Sequence, residues 1–312
     1  MSNEVIRLSD LTGTEVPEDL RTESYFDFEA HPFEHQSLLE ESSSVYGAIL
    51  GIHNYAVDWL SSAASRLRQT TQALHNETPA HCHTVGRFEL LIEEGAVFEP
   101  SRIVGCQSEG TCHSICVGRG ARVIGTDFYL EKGSVYIGER TTVEGGVGIK
   151  GSTIIGNDAE IRQGTYLRGD VIIGNEAVIR GEIKNSVLMN KSNFPHPSYL
   201  GDSACGFMTH FGNQATSANL GIFAGMVESK LRRPLVVSCN GKKYDLGRPK
   251  MGICMGDYSQ VGCNSVSDPG TFLKPRTIVY ALSRINKGFY GPDEVLKNKP
   301  LESGVIERAP LT

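Results

Sequence analysis

The chain has 312 residues, a hydrophobic fraction of 39%, a charged fraction of 21% and a formal net charge of −6 at pH 7. These values are typical of a globular protein and exclude a disordered or collagen-like chain. An acidic chain without a basic face has no electrostatic footprint for nucleic acid or an anionic membrane, and no apolar run approaches the ~18 residues of a spanning helix. We therefore expect a cytoplasmic protein with no nucleic-acid or membrane partner, and reduced thiols rather than disulfides at its eight cysteines.

No six-residue repeat is present in residues 1–84, which form two segments of different character. Residues 1–34 hold nine acidic and two basic residues without a sustained period, which predicts an acidic extended arm. From Val45 to Leu67 apolar residues recur at steps of three and four, which predicts one helix over about 35–75 within a helical segment at 35–84. The apolar stripe of this helix must be buried against the body of the chain or against copies of itself.

From Val85 the aliphatic period is six residues. It runs through Val85, Leu91, Val97 and Ile103, resumes at Val117 and Val123, and then holds at Ile137, Val143, Ile149, Ile155, Ile161, Leu167, Ile173 and Ile179. This hexapeptide repeat predicts an all-β solenoid, a β-helix in which three short strands close one coil and the aliphatic residues point inward. We expect the β-helix over 85–288, followed by a C-terminal tail at 289–312.

Four motifs interrupt or follow the repeat, in the order Glu182-Ile183-Lys184-Asn185-Ser186, His196-Pro197-Ser198-Tyr199-Leu200-Gly201-Asp202, Gly212 to Asn219, and Ala281-Leu282-Ser283-Arg284. Together they resemble the acetyltransferase half of the bacterial N-acetylglucosamine-1-phosphate uridyltransferase/glucosamine-1-phosphate acetyltransferase. The resemblance is closer to the archaeal sugar-1-phosphate nucleotidyltransferases that carry such a half. It covers roughly residues 140–288, and it implies a left-handed parallel β-helix, a homotrimer and acetyl-CoA as the acyl donor.

Carried over residue by residue, the resemblance implies a general base and four substrate-binding residues. His196 would take a proton from the substrate amine as that amine attacks the thioester, work that suits an imidazole because its ordinary pKa lies near neutral pH. Lys184 and Arg162 match positions that grip phosphate or sugar oxygens in the family. Tyr199 and Asn219 match residues that contact the substrate.

The expected donor groove departs from the family pattern. Arg284 matches a residue that holds a phosphate of CoA. Where the family has Asn-x-Gly-Ala-Gly-Thr, this chain has His210 at the first position and bulky side chains at Asn213 and Gln214, while Asp257 replaces a small residue. We expect Asn213 and Asp257 to alter the groove for the pantetheine arm, and His210 to change the hydrogen bonds offered to the sugar.

A second group of residues has side chains of the kind that bind metals. These are His81, Cys82, His83, Cys106, Cys112, His113 and Cys116. Carbonic anhydrases built on a solenoid hold zinc with histidines on adjacent coils. However, no Cys-x-x-Cys pair is present, and the six-residue spacing of Cys106 and Cys112 puts them on successive faces, so we interpret the cysteines as core thiols and predict no metal.

These observations give three hypotheses for the function. The first is acyl transfer, in the first place of acetyl, from CoA to the amino group of a phosphorylated or nucleotide-linked amino sugar. The second is a non-catalytic β-helix that binds a sugar nucleotide or a partner and descends from such an enzyme. The third is a zinc hydratase. We expect no uridylyl transfer, because the repeat already begins at Val85 and the segment before it is too short for a nucleotidyltransferase half and contains no glycine-rich nucleotide loop.

Overall fold

The computed structural model of the protein describes residues 5–79, 81–298 and 306–310. The chain forms two compact units, one made of Met1–Gly51 with Ser198–Thr312 and the other of Ile52–Pro197. Both are built from short parallel strands, and the predicted fold class, a left-handed parallel β-helix, is confirmed. Among the described residues, no helix is long and apolar enough to cross a membrane.

The N-terminal segment is folded, which corrects the expected extended arm. It contains the strand β1 and four short 3-10 helices: β1 Val5–Arg7, then Leu8–Asp10, Gly13–Glu15, Glu18–Leu20 and Thr22–Ser24. The isolated apolar residues between the acids are its core contacts, since Leu8, Val16, Leu20 and Tyr25 are all buried. Most acids of the described part of the segment are exposed, although Asp19 is half-buried and pairs with Lys274 at 2.6 Å. The composition therefore resembles that of a disordered arm although this part of the chain is ordered.

Two α-helices replace the single predicted one, because the helical conformation is interrupted at residues 41–44. They are α1 Ser37–Glu40 and α2 Val45–Leu67. The apolar stripe of α2 is buried within its own chain: Ala64 and Leu67 pack against Leu91 and Cys116 of the β-helix. The alternative of a stripe that packs only on copies of the chain is therefore wrong.

The described residues of the unit Ile52–Pro197 form eighteen strands. They are β2 Ala73–His75, β3 His83–Val85, β4 Phe88–Ile92, β5 Val97–Phe98, β6 Arg102–Val104, β7 His113–Val117, β8 Arg122–Val123, β9 Asp127–Tyr129, β10 Val135–Ile137, β11 Thr142–Val143, β12 Gly148–Lys150, β13 Thr153–Ile155, β14 Glu160–Ile161, β15 Tyr166–Leu167, β16 Val171–Ile173, β17 Val178–Ile179, β18 Glu182–Leu188 and β19 Asn193–Phe194. Three strands make one coil. Val135 pairs with Thr153, and Thr153 with Val171, so these coils have the same length, which is three hexapeptides.

The inward column of this unit follows the predicted period for most of its length. All eight consecutive positions from Ile137 to Ile179 are buried, as are Leu91, Ile103, Val117 and Val123. Val85 and Val97 are exposed, however, and Phe98 is buried in place of Val97. A shift of one residue sends a strand side chain to the opposite face. The predicted register is therefore wrong at these two positions in the first coil.

The glycines after the aliphatic residues allow the coils to approach closely. A Cβ on Gly156 would lie 2.7 Å from the backbone nitrogen of Asn175, so no larger residue fits. These glycines do not adopt the left-handed backbone conformation at the turns. A residue two positions later adopts it, for example Asp158 with φ +55° and Glu176 with φ +57°. Stacked asparagines support the turns, for example where the Asn157 backbone N–H donates to Oδ1 of Asn175 at 2.8 Å.

The unit that contains Ser198–Thr312 is also built mainly of short parallel strands stacked into coils. Besides β1, its strands are β20 Tyr199–Cys205, β21 His210–Phe211, β22 Thr216–Ser217, β23 Val236–Cys239, β24 Lys242–Asp245, β25 Ile253–Met255, β26 Gln260–Val261, β27 Val266–Ser267, β28 Thr271–Leu273, β29 Ile278–Val279, β30 Arg284–Ile285, β31 Gly288–Tyr290, β32 Glu294–Asn298 and β33 Ile306–Pro310. Since β32 pairs in parallel with β29, the coils extend beyond the predicted boundary at residue 288. Between residues 219 and 250 the chain leaves the coils to form two 3-10 helices, Ile222–Met226 and Ser229–Leu231, and the β23–β24 hairpin, to which β1 adds a parallel strand.

Candidate functional site

Three cationic side chains occupy the same position on successive coils of one face in the unit Ile52–Pro197. The β9–β12 register pairs Tyr129 with Lys150. The β12–β15 and β15–β18 registers, continued by one residue, place Lys150 beside Arg168 and Arg168 beside Lys184. We call Lys150, Arg168 and Lys184 the cation ladder. Stacked strands lie ~4.8 Å apart, and like charges directly opposite one another destabilise a sheet, so an anionic ligand would relieve a repulsion that the fold itself creates.

A cleft of about 400 Å³ opens beside the cation ladder. It is lined by Tyr129, Glu131, Lys132, Lys150, Gly151, Tyr166, Arg168 and Lys184. Its lining carries four cations and one carboxylate, and a second carboxylate, that of Glu182, lies 2.6 Å from Nη1 of Arg168. The volume falls in the range of small-molecule sites, and the charge of the cleft is opposite to the net charge of the chain. This cleft is therefore the best candidate in its unit for binding a small anion.

Arg162 lies on a different face from Lys184. Arg162 precedes Arg168 by one hexapeptide, and one hexapeptide forms one side of a three-sided coil. Arg162 does not line the cleft beside the cation ladder. Its guanidinium Nε donates to Glu160 at 2.7 Å, and Nη1 donates to the backbone carbonyl of Pro195 at 3.4 Å. The structure thus makes Arg168 the neighbour of Lys184 and makes Arg162 an anchor for the loop that carries His196.

His196 is exposed in the loop that follows β19. The loop is constrained on both sides of the imidazole, since Pro195 and Pro197 restrict the backbone φ angles and Arg162 holds the Pro195 carbonyl. An exposed side chain on a restrained backbone suits a group that must reach a bound solute without moving far. The geometry is compatible with the predicted role of general base.

In the other unit, Tyr199 and Asn219 come together above Gly201. A Cβ on Gly201 would lie 2.6 Å from the Tyr199 hydroxyl and 2.8 Å from Nδ2 of Asn219, so only glycine permits their approach. Asn219 Nδ2 also donates a short hydrogen bond to the buried carboxylate of Asp202. Two of the predicted substrate-binding residues therefore converge, and a buried carboxyl group orients one of them.

The remaining predicted residues of this unit lie in separate places. His210 is half-buried in β21, where it pairs with Gln260, and the backbone carbonyl of Asn213 accepts the N–H of Asn264 at 2.9 Å. The side chain of Arg284 is 66% exposed, and its Nη2 lies 3.2 Å from the Asp268 carboxylate. Arg284 is therefore accessible to an anion that would compete with Asp268.

Asp257 has a structural role, which corrects its expected place in the donor groove. It is only 4% exposed, and its two carboxylate oxygens accept the backbone N–H groups of Asp27 and Phe207, each at 2.8 Å. Burial raises the pKa of Asp257, and these two hydrogen bonds oppose that rise. The carboxylate therefore fastens the N-terminal segment to a turn of the β-helix in the same unit.

The side chains singled out as possible metal ligands do not form a site in the described part of the chain. Within 5–79, 81–298 and 306–310, no three His, Cys, Asp or Glu side chains are grouped as a metal would require. Cys106 and Cys116 are buried, as expected of core thiols, and burial raises the pKa of the Cys116 thiol to about 12. Metal binding needs the thiolate, which this environment disfavours. Cys82 is only half-buried and Cys112 is exposed, so the interpretation as core thiols is wrong for these two.

We predict that elemental analysis of the purified protein will find no stoichiometric zinc. Treatment with a chelator should also leave the melting midpoint unchanged, because a protein that folds without metal loses no stability when metal is removed. One zinc per chain, lost together with thermal stability, would contradict this prediction and favour the hydratase hypothesis.

Among the residues that line the cleft, sequence reasoning identified only Lys184. Tyr129, Lys150 and Arg168 each directly follow an inward-pointing residue, and Lys150 and Arg168 are one regular coil apart. Counting outward positions at intervals of 18 residues would have grouped Lys150 with Arg168, but not Tyr129, which lies 21 residues before Lys150. It would not have placed Lys184 above Arg168, because a coil of regular length would pair Tyr166 with Lys184, whereas the next coil is shorter and pairs Tyr166 with Glu182.

Comparison with known proteins gives partial matches. No family model matches the chain. A bifunctional sugar-1-phosphate nucleotidylyltransferase/acetyltransferase of Sulfurisphaera tokodaii is 31% identical over 106 residues, which are 34% of this chain and 24% of that protein. The bifunctional protein GlmU of Methanococcus maripaludis strain C7 is 31% identical over 124 residues, 38% of this chain and 28% of that protein. These similarities confirm the resemblance inferred from the motifs.

The matches leave most of the relatives unaligned, because this chain spans only about a quarter of their length. Among solved structures, LpxA from Acinetobacter baumannii aligns with 67% of this chain and 72% of its own, at 16% identity and a TM-score of 0.28. The polysialic acid O-acetyltransferase OatWY aligns with 75% of this chain and 89% of its own, at 10% identity and a TM-score of 0.29.

Proposed function

We propose that the protein transfers an acyl group, in the first place acetyl from acetyl-CoA, to the amino group of a phosphorylated or nucleotide-linked amino sugar. The observation that carries the proposal is the cation ladder and its cleft, in a chain that is similar to a protein named bifunctional sugar-1-phosphate nucleotidylyltransferase/acetyltransferase. Anionic sugar derivatives supply the negative charge that Arg168 and Lys184 are placed to receive. The proposal does not depend on the parts of the relatives' sequences that do not align with this chain.

The chemistry requires one proton transfer. The amine nitrogen attacks the thioester carbonyl carbon, and a C–N bond forms while the C–S bond breaks. His196 accepts the proton that the amine loses, and the departing CoA sulfur is protonated in turn. In this scheme Lys184 and Arg168 hold the anionic group of the acceptor, and Arg162 keeps the His196 loop in place through the Pro195 carbonyl. Since His196 does not line the cleft, the scheme requires the amine of the acceptor to extend out of the cleft to this loop.

A direct assay tests the proposal. The protein is incubated with acetyl-CoA and a panel of amino sugars, their 1-phosphates and their nucleotide-linked forms, and released CoA thiol and N-acetylated product are measured together. We expect one product per thiol released with at least one phosphorylated or nucleotide-linked acceptor. Absence of transfer to every member of the panel, from a protein that is folded, would contradict the proposal.

The second hypothesis, a non-catalytic β-helix that binds a sugar nucleotide or partner, is favoured by one observation at the expected donor groove. Gln214 stands where the family has glycine and keeps a left-handed backbone conformation, with φ +57°. Its exposed side chain occupies space that a glycine would leave open. A protein that binds acidic sugars but no longer binds the acyl donor would combine a cation ladder with a bulky side chain in the donor groove.

Arg284 distinguishes the two hypotheses. If it holds a CoA phosphate, Arg284→Ala should weaken CoA binding about tenfold in calorimetry, because one charge-assisted contact is lost, and should leave the melting midpoint unchanged. Lys287→Ala, at another exposed cation of the same unit, serves as the control. No CoA binding by the unmodified protein would favour the non-catalytic hypothesis instead.

We further propose that the protein is a homotrimer, as the resemblance implies. The stripe of α2 is already covered, but Ile222, Phe223 and Met226 are 82%, 80% and 83% exposed. Solvent-exposed apolar groups of this density are typical of association surfaces. Light scattering at micromolar concentration should give the mass of three chains, and Phe223→Ser should shift the population toward smaller species. A monomeric parent protein would remove the trimer from the proposal.

A further inference from the structure

The cleft beside the cation ladder extends well past the two cations that would hold a single phosphate. From the coil of Lys184 to that of Tyr129 there are three coil steps, or about 14 Å at ~4.8 Å each. Lys150 stands two coils from Lys184, and Lys132 follows the strand that ends at Tyr129. A sugar monophosphate held at one end of this row leaves the cations at the other end without a ligand contact.

The distribution of charge, rather than its amount, distinguishes the possible ligands. A sugar monophosphate and a nucleoside-diphosphate sugar carry similar total charge, but the monophosphate concentrates it on one group. The cleft spreads its cations over neighbouring coils, and the carboxylates of Glu131 and Glu182 only partly offset them. This arrangement fits two linked phosphates that lie along the row better than one phosphate at a single coil.

Aromatic rings line the cleft beside and beyond Lys150. Tyr129 and Tyr166 both line it, with the Lys150 ammonium 5.6 Å from the centroid of the Tyr166 ring. The guanidinium of Arg102 lies 5.8 Å from the centroid of the Tyr129 ring, which restrains that ring from one side. Planar bases stack on such side chains, so an aromatic group at the Tyr129 end would meet a suitable surface.

Glycines form the neighbouring corner of the coils. Gly151 lines the cleft, and a Cβ on Gly169 would lie 2.6 Å from the Gly151 carbonyl oxygen. Glycine is therefore required at this corner for the coils to stack, and it also leaves the backbone accessible. A phosphate chain can approach the backbone of Gly151 closely without displacing a side chain of that residue.

We propose that the acceptor is a nucleoside-diphosphate-linked amino sugar that lies along the cation ladder. Its sugar-side phosphate contacts Arg168 and Lys184, its second phosphate contacts Lys150 and Lys132, and its base packs on Tyr129. This inference rests on the proposed function and selects the nucleotide-linked acceptor over the sugar monophosphate.

Calorimetry without the acyl donor tests the inference. Uridine-, thymidine- and guanosine-diphosphate sugars are compared with glucosamine 1-phosphate. We expect at least one nucleoside-diphosphate sugar to bind ten or more times as tightly as the monophosphate. Lys150→Gln should weaken its binding about tenfold and change the affinity for glucosamine 1-phosphate less than twofold. Lys191→Gln, an exposed lysine that pairs with Glu176, is the matched control and should change neither affinity.

Two outcomes would overturn the inference: equal affinity for the two ligand classes, or a Lys150→Gln variant that binds the nucleoside-diphosphate sugar as tightly as its parent. Because binding is measured without turnover, its failure differs from that of the proposed function. A protein that acetylates glucosamine 1-phosphate but does not prefer nucleoside-diphosphate sugars would overturn only the inference. One that binds them through Lys150 but transfers no acyl group would overturn only the proposed function.

Discussion

Replacement of His196 by alanine is expected to lower the rate of acyl transfer by about 10²- to 10⁴-fold, the usual contribution of a positioned general base. The imidazole is exposed in a loop between two prolines, and Arg162 holds that loop through the Pro195 carbonyl. Without His196 the attacking amine must lose its proton to water. Single-turnover measurement with saturating acyl donor and the best acceptor would give the rate of the chemical step directly.

The same variant should change binding and stability very little. His196 lies outside the inward aliphatic column, so its removal creates no cavity, and we expect a melting midpoint within a few degrees of that of the parent. Affinity for the sugar ligand should stay within about threefold. His81→Ala removes another exposed histidine of the same unit and serves as the matched control. An active parent whose His196→Ala variant reacts at the parental rate would disprove the assignment.

Replacement of Arg68 by alanine is expected to destabilise the protein by about 1–2 kcal/mol, because it removes the counter-ion of a buried carboxylate. The expected loss is smaller than for a fully buried ion pair, since the Arg68 side chain is 47% exposed and solvent screens its charge. Glu89 is only 4% exposed and accepts hydrogen bonds from Arg68 Nε at 2.8 Å, Arg68 Nη2 at 2.7 Å and Ser114 Oγ at 2.5 Å. Arg68 follows the last turn of α2, so the pair fastens this helix to the β-helix of its own unit. Chemical denaturation of the variant and its parent at neutral pH would measure the difference.

The pH dependence provides a further check on this pair. Burial raises the pKa of Glu89, but the hydrogen bonds from Arg68 and Ser114 outweigh it, so the pKa in the folded protein lies below its usual value. This contribution is therefore present above the unfolded pKa of about 4.3 and is lost as the pH falls through the lower folded value. The stability difference between parent and Arg68→Ala should be largest near pH 7 and should shrink in acid.

Two controls define the outcome. The double variant Arg68→Ala with Glu89→Gln removes the uncompensated charge and should recover much of the lost stability. Arg122→Ala, at an exposed arginine in β8, should change the free energy of unfolding by less than about 0.5 kcal/mol. If Arg68→Ala destabilises the protein no more than Arg122→Ala does, the pair makes no net contribution to stability.

The aliphatic residues of the coils could be predicted from the sequence because the hexapeptide repeat is a local signal. Each inward position from Ile137 to Ile179 is set by residues within one strand and its turn, and all of them are buried as predicted. The first coil is the exception. There Phe98 rather than Val97 points inward, since neighbouring apolar residues leave the register ambiguous and only packing selects one of them.

The N-terminal segment and α2 show what composition and period do not reveal. The acidic segment is ordered because its backbone bonds to residues far along the chain, as Asp27 does to Asp257, 230 positions away. The stripe of α2 predicted burial but not its partner, which proves to be the coils around Leu91 and Cys116. Such contacts depend on chain closure over long separations, which no local pattern records.

By itself, the sequence determined the β-helix, the inward column and the motif positions, including Lys184 and His196. Only the tertiary structure decided which cations share a face, and it places Arg168, which sequence reasoning had not singled out, beside Lys184. The physical reason is the length of the coils. A side chain's face depends on the number of residues in every turn before it, so one coil that is shorter than its neighbours changes which side chains lie one above the other.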